Sequence, residues 1–447
     1  MKNVSDFTTG PLLSPLLKFA FPILFALFLQ TMYGAVDLVI VGQFCDAAAV
    51  SAVSNGTYIM HVITFVVTGL SLGVTVILGQ KIGEKKLEEG GKLIGNGIVL
   101  FLILAVIVSF FMIFSTPLWI ALLKIPQEAV SPCKDYLLIC SGGFIFVVAY
   151  NLLGAIFRGL GNSKIPLIIV AIACVFNIFG DLLFVGVWKM GAAGAAWATI
   201  IAQALSVVIS LAYICKIELP FSFNIKMIKF NGSQNAKILK LGTPVALQDL
   251  LVSLSFIVLT AIINSMGLIA SAGIGIAQKV CGFIMLVPSA FSQSMSSVVA
   301  QNYGAGKLDR AKKALSYGIL SSLVVAFFIF YMGFFHGDVL CLAFSKDEKI
   351  IDAAWQYLKG YSIDVMFTSF LFCFIGFYNG AGRTKFVMLQ GIFGAFLIRI
   401  PFSFIIHHFY PTSIFYLSLA TPASTVTQIV LCFIYFKSFS KKSLSRV

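Results

Sequence analysis

The chain has 447 residues, of which 59% are hydrophobic and 11% are charged, and its mean hydropathy is +1.00. This composition excludes an ordinary soluble domain, in which about 25% of the residues are charged. The formal net charge of +14 would suit a nucleic-acid partner. However, the basic residues are concentrated on one side of a series of apolar runs, and we expect no nucleic-acid partner.

Twelve apolar runs follow one another along the chain, each long enough to cross a bilayer as a helix of about 20 residues. They lie near residues 17–41, 51–78, 93–115, 135–157, 165–187, 191–214, 238–264, 271–299, 314–335, 355–379, 386–407 and 413–436. The runs lack the alternating polar and apolar residues of a β-barrel strand. The sequence therefore predicts an all-α polytopic membrane protein with twelve transmembrane helices.

The basic residues indicate the orientation of these spans. With a cytoplasmic N-terminus, the cytoplasmic segments hold 23 of the 31 Lys and Arg residues, and the opposite segments hold five. This positive-inside pattern predicts a multi-pass protein of the cell inner or plasma membrane with both termini cytoplasmic. The first apolar run has the length of a span, so we expect no cleavable signal peptide. The nine cysteines include no C-x-x-C pair and predict neither disulfides nor a metal site.

An internal repeat relates the first six spans to the last six. Three pairs of segments share an offset of 221 or 222 residues: 16–22 with 238–244, 79–87 with 300–308, and 158–164 with 379–385. The sequence thus predicts two six-helix bundles related by a pseudo-two-fold axis along the membrane normal, an arrangement of transporters that bind cargo between the halves. We expect an N-terminal bundle over 1–215, a cytoplasmic linker over 216–237 and a C-terminal bundle over 238–447.

Two carboxylates stand alone within the N-terminal bundle. Asp37 is the only charge between Lys18 and Asp46, and Asp181 is the only charge between Lys164 and Lys189. A charge at a helix centre in the membrane costs about 2.5–3.5 kcal/mol on insertion scales. Asn177 lies one turn before Asp181, and Thr199 lies in the following span. A rise of 1.5 Å per residue places Asp37, Asp181 and Thr199 roughly 9–12 Å below the outer helix ends. These oxygens suit Na⁺ or a shared proton. Alternatively, both aspartates accept local hydrogen bonds and only fix their helices.

The C-terminal bundle carries a different set of charges. Lys279, Asp364 and Arg399 share one predicted level, and Asp249 lies nearer the cytoplasmic side of span 7. These four residues are candidates for a second buried polar cluster. Structural ion pairing would explain them, and a second coupling or cargo site is the alternative.

Two short motifs that are typical of enzymes have simpler explanations. Gly69-Leu-Ser-Leu-Gly73 matches G-x-S-x-G but lies inside a span, where small residues four apart favour close helix packing. Gly304-Ala-Gly-Lys307 lacks both the first glycine and the final hydroxyl residue of a phosphate-binding loop. We therefore expect no enzymatic activity and no cofactor, and an ion gradient rather than ATP as the energy source.

Four segments together resemble one known family over the whole chain, the multidrug and toxic compound extrusion (MATE) transporters. These segments are Val36–Gly42, Asn177–Asp181, Asn302–Ala305 and Arg399–Pro401. The resemblance implies drug export in exchange for inward Na⁺ or H⁺. It also implies a cation site at Asp37, Asn177, Asp181 and Thr199.

Some members of this family also use acidic residues in spans 7 and 10. The corresponding positions here lie near Val252 and at Thr368, which favours the N-terminal site. We therefore expect a monomeric antiporter that contacts membrane lipid and exports small amphipathic, often cationic, organic compounds by alternating access, with Na⁺ or H⁺ as coupling ion. The alternatives are a lipid-linked saccharide flippase of related architecture, a membrane-embedded enzyme and a passive channel.

Overall fold

The structure is a computed structural model that describes residues 5–216, 219–221 and 223–444. Two basic residues counted above as cytoplasmic, Lys2 and Arg446, lie outside the described residues, as do three positions of the predicted linker (217, 218 and 222). The described residues form α-helices joined by short connections, with no β-strand among them.

In the described part of the N-terminal half there are seven α-helices. They are α1 (Leu13–Phe44), α2 (Ala47–Gly83), α3 (Leu87–Leu122), α4 (Gln127–Gly142), α5 (Phe144–Gly159), α6 (Lys164–Asp181) and α7 (Gly191–Lys216). A π-helical segment, Leu182–Val187, continues α6. The turn before α2 is fixed by Asp46, whose side chain accepts a hydrogen bond from the Ala49 N–H at 2.9 Å, as an N-cap residue does.

Up to residue 444, where the described chain ends, the C-terminal half contains ten α-helices. They are α8 (Gly232–Ser265), α9 (Leu268–Ile284), α10 (Leu286–Gly304), α11 (Leu308–Phe335), α12 (Gly337–Leu342), α13 (Glu348–Gly380), α14 (Thr384–Ile392), α15 (Ile400–Phe409), α16 (Ile414–Ser418) and α17 (Ala420–Leu444). A second π-helical segment, Phe393–Arg399, joins α14 to α15.

The predicted spans are confirmed. Eleven helices or continuous helix pairs of the described chain are long and apolar enough to cross a membrane, and α4 with α5, bent by 50°, supplies a twelfth. Helices suit this environment because each satisfies its own backbone polar groups in lipid. Several helices are longer than the predicted spans, since hydropathy marks only the part of a helix inside the bilayer.

The chain divides into two compact units. The first comprises Met1–Gly10, Leu17–Ala246 and Ala300–Gly306, and the second comprises Pro11–Leu16, Leu247–Val299 and Lys307–Val447. The start of α8 thus belongs to the first unit, whereas the sequence assigns it to the C-terminal bundle. The predicted bundle boundaries remain a prediction.

Glycines let α2 pack closely against the start of α8 within the first unit. A Cβ atom on Gly69 would lie 2.6 Å from the backbone nitrogen of Ala246, and one on Gly242 would lie 2.6 Å from the Cα of Leu70. A Cβ on Gly73 would lie 2.5 Å from the carbonyl oxygen of Ile238. The G-x-S-x-G motif is therefore a close helix-packing face.

A reciprocal contact joins the end of α2 to the end of α10, also within the first unit. A Cβ on Gly83 would collide with the carbonyl oxygen of Gln301, and a Cβ on Gly304 would collide with the carbonyl oxygen of Gln80. These pairs occupy equivalent positions of the internal repeat. The two repeats therefore contact each other here through equivalent residues.

The segment before α1 is anchored beside this contact. The Phe7 N–H donates to Oε1 of Gln301 at 3.1 Å, and Nδ2 of Asn302 donates to the Phe7 carbonyl at 3.1 Å. The Phe7 ring is 2% exposed and packs edge-on against Phe19, with ring centroids 5.2 Å apart. Gly161, at φ +75°, leaves room for this segment, since a Cβ there would lie 2.7 Å from the Ser5 carbonyl oxygen.

The second unit has its own apolar core. Buried residues of α8, α9 and α13 form its centre, among them Ile263, Ala277 and Leu358, each fully buried. Near the C-terminal ends of α13 and α17 lies an aromatic cluster, in which the buried Tyr378 donates from its hydroxyl to the Cys432 carbonyl at 2.7 Å.

Candidate cation site and charged cluster

Two helices that carry predicted site residues approach each other closely. A Cβ on Gly180 would lie 3.0 Å from the Cβ of Ala198, so a larger side chain would push α6 and α7 apart. Asp181 and Thr199 are the next residues along the two helices. The π-helical segment begins directly after Asp181, and such segments occur frequently at functional sites.

The structure brings the four predicted cation-site residues together. Asp37 is 6% exposed, Asn177 is 1% exposed, Asp181 is fully buried and Thr199 is partly buried. The Asp37 carboxylate is near enough to interact with the side chains of Asp181, Thr199 and Asn177. The three helices α1, α6 and α7 therefore contribute to one polar cluster inside the first unit.

These side chains do not satisfy one another. Among the described residues, no hydrogen bond of good geometry reaches Oδ1 of Asp37, either carboxylate oxygen of Asp181, the Asn177 amide or Oγ1 of Thr199. Buried polar groups without partners are costly, and two neighbouring buried carboxylates repel each other when both are ionised. A cation or a shared proton would give these oxygens a partner and reduce the repulsion between the two carboxylates.

The chemistry of this donor set narrows the choice of ion. Carboxylate, amide and hydroxyl oxygens suit a hard cation such as Na⁺. No group of three or more His, Cys, Asp or Glu side chains with metal-binding geometry occurs in the described part of the chain. The residues thus fit Na⁺ or H⁺ better than a transition metal.

A small cavity of about 20 Å³ lies beside this cluster, and Asn177 and Thr199 are among its lining residues. That volume has room for about one water molecule. Nε2 of Gln30 donates to the Tyr150 hydroxyl at 3.0 Å, and Nε2 of Gln203 lies 3.5 Å from the Tyr33 hydroxyl. The lining residues are Gln30, Tyr33, Tyr150, Val170, Ala173, Asn177, Thr199, Ala202, Gln203 and Ser206.

Sequence reasoning missed most of this cavity lining, although a signal was present. Tyr33 lies one turn before Asp37, and Gln203 lies one turn after Thr199. Residues i and i+4 share a helix face. A search for polar residues one turn from each predicted ligand would have found both.

An open cleft of about 410 Å³ lies where α1 ends and α7 begins. Asp46 and Asp135 line it together with Lys189. The Lys189 ammonium lies 4.9 Å from the centroid of the Phe44 ring. The first unit thus has an open, charged cleft beside the end of α1 and the start of α7.

The structure buries two of the four residues predicted for a cluster in the second unit. Asp364 and Arg399 are each 4% exposed and interact electrostatically. Lys279 and Asp249 are exposed and do not join this buried pair. The ammonium of Lys279 lies 5.7 Å from the centroid of the Phe344 ring instead. Similar depth along neighbouring spans did not distinguish a side chain that faces inward from one that faces outward.

The two buried charges have local partners. Nη1 of Arg399 donates to Oγ of Ser255 at 2.8 Å, and its guanidinium lies 4.0 Å from the centroid of the Phe256 ring. Oγ1 of Thr368 donates to Oδ2 of Asp364 at 3.0 Å. These contacts stabilise each charge through neutral neighbours, whereas Oδ1 of Asp364 and Nε of Arg399 are buried without a hydrogen-bond partner among the described residues.

Twelve spans and a buried carboxylate pair inside one unit are features of a membrane transporter. The family model MatE matches residues 22–183 and again 244–405. The chain therefore belongs to the MatE family, the multidrug and toxic compound extrusion transporters. The two matches also locate the internal repeat, because the second begins 222 residues after the first.

The similar proteins are consistent with this assignment. The chain is 29% identical over 400 residues to the probable multidrug resistance protein YpnP of Bacillus subtilis, covering 89% of each chain. It is 23% identical to the multidrug export protein MepA of Staphylococcus aureus, covering 89% of this chain and 88% of MepA. The fold matches an outward-facing MATE family multidrug resistance transporter of the MOP superfamily, with TM-score 0.93, 17% identity and coverage of 100% and 99%.

Proposed function

We propose that this protein is a cation-coupled antiporter that exports small amphipathic, often cationic, organic compounds in exchange for Na⁺ or H⁺. It acts as a monomer in the cell inner or plasma membrane, with both termini cytoplasmic. The names of YpnP and MepA, a probable multidrug resistance protein and a multidrug export protein, support the cargo class.

The observation that carries the coupling proposal is the unsatisfied carboxylate pair of Asp37 and Asp181. A buried pair of carboxylates is stable only when Na⁺ or H⁺ offsets its charge. A conformation that buries the pair is therefore stabilised by the ion, whereas one that exposes the pair to water needs the ion less. This unequal stabilisation lets an ion gradient shift the conformational equilibrium.

Three features of the first unit suit a conformational response to the ion. The π-helical segment after Asp181 can change its hydrogen bonding at low cost. Pro22 lies inside α1, where it removes one internal hydrogen bond. Asp37 lies four turns farther along α1 than Pro22. Binding at Asp37 and Asp181 therefore acts on helices that have local weak points.

Efflux of a fluorescent cationic dye from proteoliposomes tests this proposal. Dye movement is measured under a Na⁺ gradient at equal pH, and separately under a pH gradient without Na⁺. We expect one of the gradients to drive efflux by the wild type. Asp37→Asn and Asp181→Asn should each reduce that efflux to the level of empty liposomes, because an amide cannot take up the charge of the coupling ion.

Asp352→Asn is the matched control, since Asp352 is an exposed carboxylate elsewhere on the chain and should leave efflux unchanged. Gradient-driven efflux at the wild-type rate in both site variants would disprove coupling through this pair. A rate of dye movement that neither gradient changes would instead indicate a passive channel.

A further inference from the structure

The segment that leads from α7 to α8 carries positive charges and exposed apolar side chains next to one another. Between residues 219 and 240 the sequence has four lysines and no aspartate or glutamate. Ile225 is 80% exposed and Phe230 is 65% exposed, and Lys226 and Lys229 between them are also exposed. We call these four side chains the linker surface. The cation site described above makes no use of them.

The other side of this segment is packed onto the first unit. Phe221 is 6% exposed, and a Cβ on Gly90 of α3 would lie 2.9 Å from its ring. Phe223 is partly buried and packs against the apolar core of that unit. The segment therefore has a buried apolar side, and the linker surface is its outward side.

Hydrogen bonds and one close contact fix the segment on α3. A Cβ on Gly95 would collide with the carbonyl oxygen of Met227. Asn96 is 1% exposed; its Oδ1 accepts a hydrogen bond from the Asn231 N–H at 2.7 Å, and its Nδ2 donates to Oδ1 of Asn235 at 2.6 Å. Met227 and Asn231 lie on either side of the last two residues of the linker surface. That surface is therefore held at one place on α3.

The segment crosses α3 on the side of the helix that faces lipid. Leu102 and Val106 lie seven and eleven residues after Gly95, which places them about 20° to either side of it around the helix. They are 50% and 46% exposed, and Ile107, eleven residues after Asn96, is 60% exposed. Exposed apolar side chains in the middle of a membrane span face the acyl chains. The linker surface therefore lies directly beyond a lipid-facing surface.

The crossing is also at the level of the membrane surface. Lys92 is the last charge before the apolar run of α3, and its side chain is exposed. Asn96 lies four residues farther along the helix, about 6 Å into that run. The polar headgroup layer of a bilayer is about 5–8 Å thick on each side. The segment thus lies at the boundary between the headgroups and the acyl chains.

The neighbouring carboxylates do not occupy the two lysines of the linker surface. Glu89 at the start of α3 pairs with Lys81, whose Nζ lies 2.8 Å from its Oε2, and it also interacts with Lys237. Within the described residues, neither Lys226 nor Lys229 forms a salt bridge. Both ammonium groups are therefore available to an anion outside the protein.

We infer that the linker surface binds anionic phospholipid headgroups of the adjacent leaflet, which is the cytoplasmic one in the predicted orientation. Lys226 and Lys229 attract the negatively charged headgroups, and Ile225 and Phe230 insert at the start of the acyl chains, as apolar residues of interfacial segments do. Because Asn96 ties the same segment to α3 and to the first turn of α8, lipid bound here stabilises the start of α8. The inference goes beyond the proposed function and does not depend on it.

Lipid binding to the purified full-length protein in detergent tests the inference. The probe is phosphatidylglycerol, and phosphatidylcholine with the same acyl chains is the control lipid without net charge. Inorganic phosphate tests for binding of a free anion. The measurement is the rise in thermal unfolding temperature, relative to lipid-free protein, as each compound is titrated. We expect phosphatidylglycerol to stabilise the wild type at a concentration about tenfold lower than phosphatidylcholine, and inorganic phosphate to have no effect.

Charge-reversal variants locate the preference for the anionic lipid. Lys226→Glu combined with Lys229→Glu should abolish it, because the reversed charges repel the headgroups, and Lys226→Arg combined with Lys229→Arg should retain it. The matched control is Lys313→Glu combined with Lys385→Glu. This control reverses two exposed lysines of other predicted cytoplasmic segments and should leave the preference unchanged.

A second pair of substitutions separates the apolar contribution from the charge. Ile225→Ser combined with Phe230→Ser leaves the packed side of the segment intact and should weaken both lipids by a similar factor. The inference is overturned if the wild type does not distinguish the two lipids or if inorganic phosphate stabilises it as phosphatidylglycerol does. It is also overturned if the Lys226 and Lys229 glutamate variant keeps the preference, if the control pair loses it equally, or if the serine pair binds both lipids like the wild type. No transport is measured, so failure of the proposed function would leave this result unaffected.

Discussion

At the scale of single residues, the cation site depends on oxygen atoms that point inward from three helices. Thr199 contributes a hydroxyl whose oxygen is buried without a hydrogen-bond partner among the described residues. Threonine in a helix commonly bonds to the carbonyl four residues earlier, as Thr64 does with the Met60 carbonyl at 2.8 Å. Thr199 does not, so its hydroxyl is available for a ligand.

Thr199→Val should therefore specifically weaken binding of the coupling ion. The change preserves shape and removes one oxygen, and we expect the ion concentration for half-maximal efflux to rise about tenfold. The measurement is dye efflux at graded Na⁺ concentration or pH. Thr64→Val removes a hydroxyl that is already bonded to its own helix and is the control. Equal effects of the two variants would contradict a role of Thr199 in ion binding.

Arg399 gives a prediction about stability rather than transport. Removing one member of a buried charge pair leaves the other uncompensated and costs about 3–5 kcal/mol. Arg399→Met should therefore lower the thermal unfolding temperature markedly. The double variant Arg399→Met with Asp364→Asn should recover most of the loss, as followed by thermal unfolding in detergent. A double variant that is less stable than either single variant would show that the two charges do not compensate each other.

The sequence was sufficient to predict that Asp37, Asn177 and Asp181 lie together, because Asp37 and Asp181 are isolated charges and Asn177 shares a helix face with Asp181. The sequence was insufficient to predict which way the side chains of Lys279 and Asp249 point. Their predicted depth was compatible with a cluster, but rotation about a helix axis decides which way a side chain points. That rotation depends on packing, such as the contact of Gln248 with Gly391, which hydropathy does not encode.

At the scale of helices, the site exists because α6 and α7 approach unusually closely. Gly180 and Ala198 allow this approach next to Asp181 and Thr199. The sequence predicted both helices but not their separation, since a glycine in a membrane helix has several possible uses. The π-helical segment that follows Asp181 was also not predicted, because no residue in Leu182–Val187 distinguishes it from an ordinary apolar turn.

Gly180→Val should separate α6 from α7 and impair the cation site. Overpacking of this kind typically costs about 1–3 kcal/mol, and we expect a lower unfolding temperature together with weaker ion-driven efflux. Gly275→Val is the control, because a Cβ there would meet no atom within 4 Å. Stability and efflux equal to the control would show that the close approach is unimportant.

At the scale of the whole molecule, twelve spans and the all-α class followed from hydropathy alone. The anchored segment before α1 did not, because polar residues such as Gln301 and Asn302 give no indication in sequence of their distant partner Phe7. Phe7→Ala removes a buried ring, a change that typically costs about 3–5 kcal/mol. We expect a lower unfolding temperature, whereas Leu13→Ala, at an exposed position (41%), should have little effect. An unchanged temperature for Phe7→Ala would show that the segment does not stabilise the fold.

The reciprocal contact of Gly83 with Gln301 and of Gly304 with Gln80 has the form of a two-fold contact between identical subunits. In a homodimer both subunits carry every substitution, so a buried carboxylate pair would occur in each subunit. Here the two repeats belong to one chain, and the sequence of each has diverged independently. In the part of the chain that the structure describes, one repeat holds Asp37 with Asp181, and the other holds Asp364 with Arg399. Covalent linkage thus permits a single buried carboxylate pair per chain, whereas a symmetric dimer would hold two.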